Sequence, residues 1–259
     1  MFISSPLAAS DQRLQEKIIG GYPCRRLTQP WQASLNLGYH TCGGALLNSH
    51  WVISVAHCWF PPSRILVVLG ELDLSEHEGT EQPRRVTTAL WHPLYDLRTR
   101  SHDVMLLRLA EPVHFTPYVR PVPLPVSCPA TGTYCTVSGW GNTVGDGFVL
   151  PNKLRCAEAV IFSDPDCEAA YPGMISESML CAGYSDMGTS GPCQGDYGGA
   201  LVCDGVIHGI ASWGEVCADS EGARPAVYTK LCAVLPWIKS TLTDPRASPA
   251  TLNPFTAVV

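Results

Sequence analysis

The sequence predicts an all-β protein of barrel type, and three observations carry that prediction. First, the chain is a succession of short apolar runs broken by turn residues: "WVISVAHC", "RILVVLGEL", "VMLLRLA", "TYCTVSGWG" and "PAVYTKL". Second, the runs "ALVC" and "VIHGIASWG" are joined by Asp204-Gly205 alone. Asp-Gly between apolar runs signals a tight hairpin, because both turn residues must take positive φ. Third, helix signals are few and late, which favours a barrel over a layered α/β fold.

Taken in order, residues 1–17 are polar and irregular, and the folded part begins at "IIGGY". β-rich runs follow. Ser163 is placed to cap "DPDCEAAY", with Asp166 three residues on and Pro165 in the first turn. "VLPWIKSTL" reads as a short amphipathic C-terminal helix. After Leu242, "TDPRASPATLNPFTAVV" carries three prolines and no period, and reads as a loose tail. The organisation is therefore an N-terminal segment 1–17, a folded domain 18–242 and a flexible tail 243–259. No repeat of 20–50 residues is visible.

A chain of 259 residues buries a sizeable core, as one large β domain or two small ones sharing an interface. The net charge of −6 argues against nucleic acid or an anionic membrane as the main partner; a mild acidic excess serves solubility. No stretch is long and apolar enough for a bilayer-spanning helix. Twelve cysteines, an even number with no C-x-x-C pair among them, point to disulfides rather than metal and to an extracellular, secreted protein. "MFISSPLAAS" has no basic start and only a short apolar run, so it is a poor signal peptide and leaves the export route open. No N-x-[ST] acceptor is present.

Four pieces carry chemistry together: His57 in "SVAHC", Asp103 in "SHDVMLLRL", the turn "GDYGGA", and Ser212 in "SWG". Singly, each has an ordinary reading as a core histidine, a cap, or a plain turn. In this order and spacing, with "IIGGY", "QPWQASL", "CGGALL", "SGWG", "MLCAGY", "CQGD" and "VYT" between and around them, the chain resembles the trypsin-like serine proteases. Within that group it is most similar to trypsins and tissue kallikreins. The resemblance runs from residue 18 to about 242.

It implies two packed antiparallel β-barrels. It also implies six disulfides: Cys24–Cys156, Cys42–Cys58, Cys128–Cys232, Cys135–Cys203, Cys167–Cys181 and Cys193–Cys217. In the family a serine attacks the peptide carbonyl, a histidine takes its proton, an aspartate orients the imidazole, and two backbone N–H groups receive the oxyanion. His57 then matches the base and Asp103 the acid. The N–H groups of Gly195 and Tyr197 match the oxyanion hole, and Ser212 the serine beside the aspartate. Lys17-Ile18 matches a zymogen activation junction whose freed amino group would pair with Asp196. Gly191 matches the floor of the substrate pocket, with Ser212, Trp213, Gly214 and Ala226 around it. Gly191 in place of an aspartate favours a medium apolar or uncharged side chain over Arg or Lys. Ala200 replaces a proline and Ala226 a glycine of the family pattern; neutral drift explains either equally well.

The nucleophile position holds Tyr197. A phenol oxygen lies roughly 4 Å farther from the backbone than a serine oxygen. The oxyanion donors belong to the same turn, so one carbonyl cannot meet both. The ring must also occupy the substrate's space or the room beside His57. The expectation is a secreted pseudoprotease with no useful peptidase activity, binding protein substrates, proteases or protease inhibitors as a monomer. The alternative is an active serine endopeptidase, in which Tyr197 is a sequence error or a variant one base removed from serine. A passive structural role is a third reading, without specific support.

No cofactor is expected for catalysis. "GELDLSEHEGTEQ" resembles the family's calcium loop, with Glu71, Glu78 and Glu81 matching by carboxylate and Asp73 and Glu76 by backbone carbonyl. A structural calcium site and a solvated acidic loop are both open on this evidence.

Overall fold

The computed structural model describes residues 21–141, 151–183, 196–214 and 224–244. The described chain opens with β1 (Tyr22–Pro23), which pairs with a strand of the second barrel. The first barrel comprises β2 (Gln32–Asn36), β3 (His40–Asn48), β4 (Trp51–Ser54), β5 (Leu66–Leu69), β6 (Gln82–Trp91) and β7 (Met105–Leu109). It closes in the order β2-β3-β4-β7-β6-β5. The second comprises β8 (Tyr134–Gly139), β9 (Arg155–Ile161), β10 (Met179–Gly183), β11 (Ala200–Cys203), β12 (Val206–Trp213) and β13 (Ala226–Lys230). Its order is β9-β10-β13-β12-β11-β8, and pairing of β8 with β9 closes it. Every pairing is antiparallel, and closure leaves neither barrel an open edge.

The expected two-barrel fold is thus observed. β4 and most of β7 are buried on both faces, since one face fills the barrel and the other is covered. Val52, Ile53, Leu106 and Leu107 of the first barrel belong to one continuous core with Ile207 and Ile210 of β12. Each such aliphatic side chain contributes roughly 1.5–3 kcal/mol on burial. The second barrel has its own centre around Val137, Ile161, Leu180, Leu201 and Tyr228.

Turn and cap chemistry follow the sequence. Asp204 and Gly205 take φ of 50° and 77°, the hairpin geometry that Asp-Gly tolerates. Ser163 caps α1 (Asp164–Ala170) by accepting the Asp166 N–H at 3.1 Å. The C-terminal helix α2 (Leu231–Thr243) starts three residues before the expected run, because the stripe Leu231, Val234 and Ile238 already begins there and is buried. Pro236 lies inside it. Ala200 opens β11 opposite Ile210, a ladder position where the family's proline would bring no N–H.

Five of the implied disulfides are formed: Cys24–Cys156, Cys42–Cys58, Cys128–Cys232, Cys135–Cys203 and Cys167–Cys181. Cys193 and Cys217 lie outside the described residues. Five such bridges are consistent with a protein that folds in an oxidising, extracellular-type compartment.

Candidate active site

β4 runs into a single 3-10 turn, Ala56–Cys58, tied back to β3 by the Cys42–Cys58 bridge. That turn presents His57. The connection from β6 to β7 delivers Asp103, which is fully buried. The Asp103 carboxylate accepts the His57 backbone N–H at 3.0 Å on Oδ1, and lies 2.7 Å from His57 Nδ1 through Oδ2. Ser212 donates its hydroxyl to the same Oδ2 at 2.6 Å. Thr229 Oγ1 donates to the Asp103 backbone carbonyl at 2.6 Å. A buried carboxylate is tolerated when donors surround it in this way. The network assigns the proton to Nδ1 and leaves Nε2 as the free base.

The turn beginning at Asp196 brings a third group. Tyr197 carbonyl accepts the Gly43 N–H at 2.8 Å, Gly198 N–H reaches Ala211 carbonyl at 2.8 Å, and Gly199 N–H reaches Asp196 carbonyl at 2.8 Å. Gly198 has φ of 88°, and a Cβ there would stand 2.3 Å from the Gly43 carbonyl oxygen, so only glycine fits. From this turn the Tyr197 ring meets the His57 ring edge-on, 5.4 Å between centroids at 73°. Burial, then the Asp196 charge, pushes the Tyr197 phenol above its ordinary pKa, against the opposing Arg100 charge. The phenol is therefore protonated at neutral pH.

Asp196 is itself buried. Its Oδ1 accepts the Gly141 N–H at 2.7 Å. A Cβ on Gly139 would lie 1.9 Å from Oδ1, and one on Gly141 2.1 Å from Oδ2. The two glycines form a cradle shaped to this carboxylate.

Trp213 and Gly214 end and follow β12, and Ala226 opens β13 fully buried. Trp213 meets Tyr171 edge-on at 4.9 Å. Of the sequence-derived site residues, His57, Asp103, Ser212 and Tyr197 come together. Lys17, Ile18, Gly191 and Gly195 lie outside the described residues. Sequence reasoning missed Thr229, Gly139 and Gly141, although they stand in the quoted runs "VYT" and "SGWG". It also passed over Tyr95 and Arg100, for which no local pattern existed.

In the acidic loop, Glu71, Glu78 and Glu81 each offer a carboxylate oxygen, all within 4.8 Å of one another. Glu71 Oε1 and Glu78 Oε2 are buried without a hydrogen-bond partner. Burial, then the charges of Glu81 and Glu78, pushes Glu71 up to about 7. Arg26 pairs with the other Glu78 oxygen. Glu81 also accepts N–H bonds from Glu78 and Gly79. The Asp73 carboxylate is bound to Ser75, and its carbonyl accepts the Glu76 N–H at 3.0 Å. Two buried orphan oxygens in an all-oxygen donor set fit a hard cation.

One histidine behind the dyad has a measurable consequence. His92 is buried, stacked on His102 at 4.7 Å and edge-on to Trp237 at 5.0 Å. Burial, and then the neighbouring His102, pushes its pKa down to about 4. In the unfolded chain it protonates near 6.5. The native state thus refuses a proton that the unfolded state takes, so the stability is full above pH 6.5 and is lost as pH falls toward 4. Urea unfolding across this window is expected to lose about 1–2 kcal/mol more in the native chain than in His92→Gln. Superimposable profiles would refute this.

The comparisons with known proteins agree with this geometry. The trypsin family model matches residues 18–238. The chain is 46% identical to "Trypsin" of Pleuronectes platessa over 243 residues, covering 91% of this chain and 94% of that protein. It is 44% identical to "Trypsin I-P1" of Gallus gallus over 242 residues, covering 93% and 94%. It is 47% identical to "Serine protease 1" of Rattus norvegicus over 227 residues, covering 88% and 90%. With two closed antiparallel barrels and a family match spanning them, the chain belongs to the trypsin-like serine protease family.

Proposed function

We propose that this member of the family is catalytically silent and acts outside the cell as a protein-binding module, a regulatory or decoy partner of proteases or their inhibitors. The observation that carries the reading is the Tyr197 ring lying against the His57 ring. In the family pattern this position belongs to the attacking serine. Here it holds a protonated phenol, whose oxygen sits roughly 4 Å farther from the backbone than a serine oxygen and so is poorly matched to oxyanion donors on the same turn. The tyrosine ring stands edge-on to the imidazole, 5.4 Å between centroids, taking up room beside the base that a substrate would need.

The intact His57–Asp103–Ser212 network favours a second reading, a working serine endopeptidase. A fluorophosphonate probe, applied after cleavage behind Lys17, separates the two. No label is expected on the native chain; a stoichiometric adduct on Tyr197 overturns the first reading.

We further propose that the Glu71–Glu78–Glu81 cluster holds a structural calcium ion, supported by the two orphan carboxylate oxygens. At 10 mM Ca²⁺ and an extracellular-type affinity the melting temperature is expected to rise by roughly 3–10 °C. Glu71→Gln should erase the rise. An unchanged Tm in the native chain means a solvated acidic loop.

A further inference from the structure

The connection between β6 and β7 does more than deliver Asp103. It is folded tightly on itself: Asp96 N–H donates to Ser101 carbonyl at 3.1 Å and Arg100 N–H to Asp96 carbonyl at 2.8 Å. Asp96 Oδ1 accepts the N–H groups of Arg98 and Thr99 at 2.7 and 3.3 Å. His102 N–H is anchored outside the loop, on Ser178 Oγ at 2.8 Å. Within this frame Arg100 and His102 take φ of 60° and 52°, a left-handed backbone that side-chain-bearing residues adopt at a cost. A loop with fewer constraints would relax both.

The strained position carries a strong donor with no carboxylate paired to it among the described residues. Arg100 Nη1 and the Tyr95 hydroxyl are both buried, and apart from each other neither meets a hydrogen-bond partner among the described residues. The guanidinium lies beside that phenol, and its charge reaches Tyr197. Neither Asp96 nor Asp103 forms an ion pair with it. Asp103 serves His57 and Ser212, and Asp96 serves its own turn. A guanidinium nitrogen removed from water and left unpaired is costly, and a carboxylate is the acceptor that matches its fork. The net charge of −6 disfavours an extended polyanion, so a single acidic side chain on a peptide is the better match.

We propose that Arg100 makes the face around Tyr197 selective for an acidic peptide segment, an aspartate or glutamate of the bound partner pairing with the guanidinium and the Tyr95 hydroxyl completing the site. This rests on reading that face as a protein-binding site.

The test uses fluorescent octapeptides in which one glutamate is moved through the sequence, each paired with its glutamine analogue. Binding is read by anisotropy at 150 mM NaCl. In one register the glutamate peptide is expected to bind the native chain about tenfold more tightly than its glutamine twin. Arg100→Gln should shrink that ratio to below about twofold, and Arg100→Lys should restore part of it. Arg100→Asn, which suits the left-handed backbone, gives a second neutral variant should Arg100→Gln fold poorly. Equal binding of the twins in every register, a preference that survives Arg100→Gln and Arg100→Asn, or no binding of any peptide overturns the proposal. Binding of heparin that needs Arg100, with no peptide preference, likewise overturns the acidic peptide as the occupant. If the native chain cleaves the peptides, the silent-site reading fails instead, and the glutamate-to-glutamine ratio of cleavage rates still reports on Arg100.

Discussion

Tyr197→Ser, cleaved after Lys17, is expected to hydrolyse peptide bonds at least about 10⁴-fold faster than the native chain. The magnitude follows from what the site already holds. His57 is oriented by a fully buried aspartate through its backbone N–H and Nδ1, and Ser212 and Thr229 hold that aspartate. Removal of a nucleophile alone abolishes nearly all of a triad's contribution, because its members act as a unit. Restoring it should therefore return most of the loss in one substitution. The variant also clears the ring from His57, so binding space and nucleophile reappear together. Two controls give the result meaning. Asp103→Asn in the Tyr197→Ser background should lose about 10⁴ in kcat, through the wrong imidazole tautomer. Tyr197→Ala should bind peptides as Tyr197→Ser does and cut nothing. Cleavage by the native chain at a comparable rate would show that the reach argument is wrong. Silence of all variants would place the defect elsewhere, in the substrate pocket or the oxyanion turn.

How much of this was readable beforehand depends on the range of the interaction. The Asp204-Gly205 hairpin and the Ser163 cap are decided within a few residues, so the sequence states them directly. The pairing of His57 with Asp103 spans 46 positions and was legible only through the family resemblance. α2 starts three residues before the expected run, because the buried stripe already begins at Leu231, directly after β13. Arg100 could not be anticipated at all. That it has no ion pair with either aspartate depends on where Asp96 and Asp103 spend their oxygens, and that is set by backbone turns and by Ser212, more than a hundred residues away. The two glycines of "SGWG" gave a similar difficulty. Their role is to leave space, and unused space has no local signature until the side chain that fills it is placed.

That space sets the second large expectation. Gly141→Ala should lower stability by about 3 kcal/mol or more and, in the Tyr197→Ser background, remove the regained activity. A Cβ on Gly141 would stand 2.1 Å from Asp196 Oδ2 and 2.3 Å from its Cγ, distances no side chain tolerates. Either the carboxylate leaves, giving up the 2.7 Å bond from Gly141 N–H, or β8 and its following turn move. Asp196 has 5% of its surface exposed, so a displaced carboxylate remains a buried charge with fewer donors. The disturbance does not stay local. Asp196 precedes Tyr197, and its carbonyl closes the turn through Gly199 N–H, the same turn that aims residue 197 at His57. If the clash is the cause, it must disappear with the carboxylate. Asp196→Ala destabilises on its own account, but Gly141→Ala added to it should then cost less than about 1 kcal/mol, a strongly non-additive cycle measurable by urea unfolding. Additive losses would mean that Gly141 is needed for its own backbone conformation, and that the cradle around Asp196 is not what couples β8 to the site.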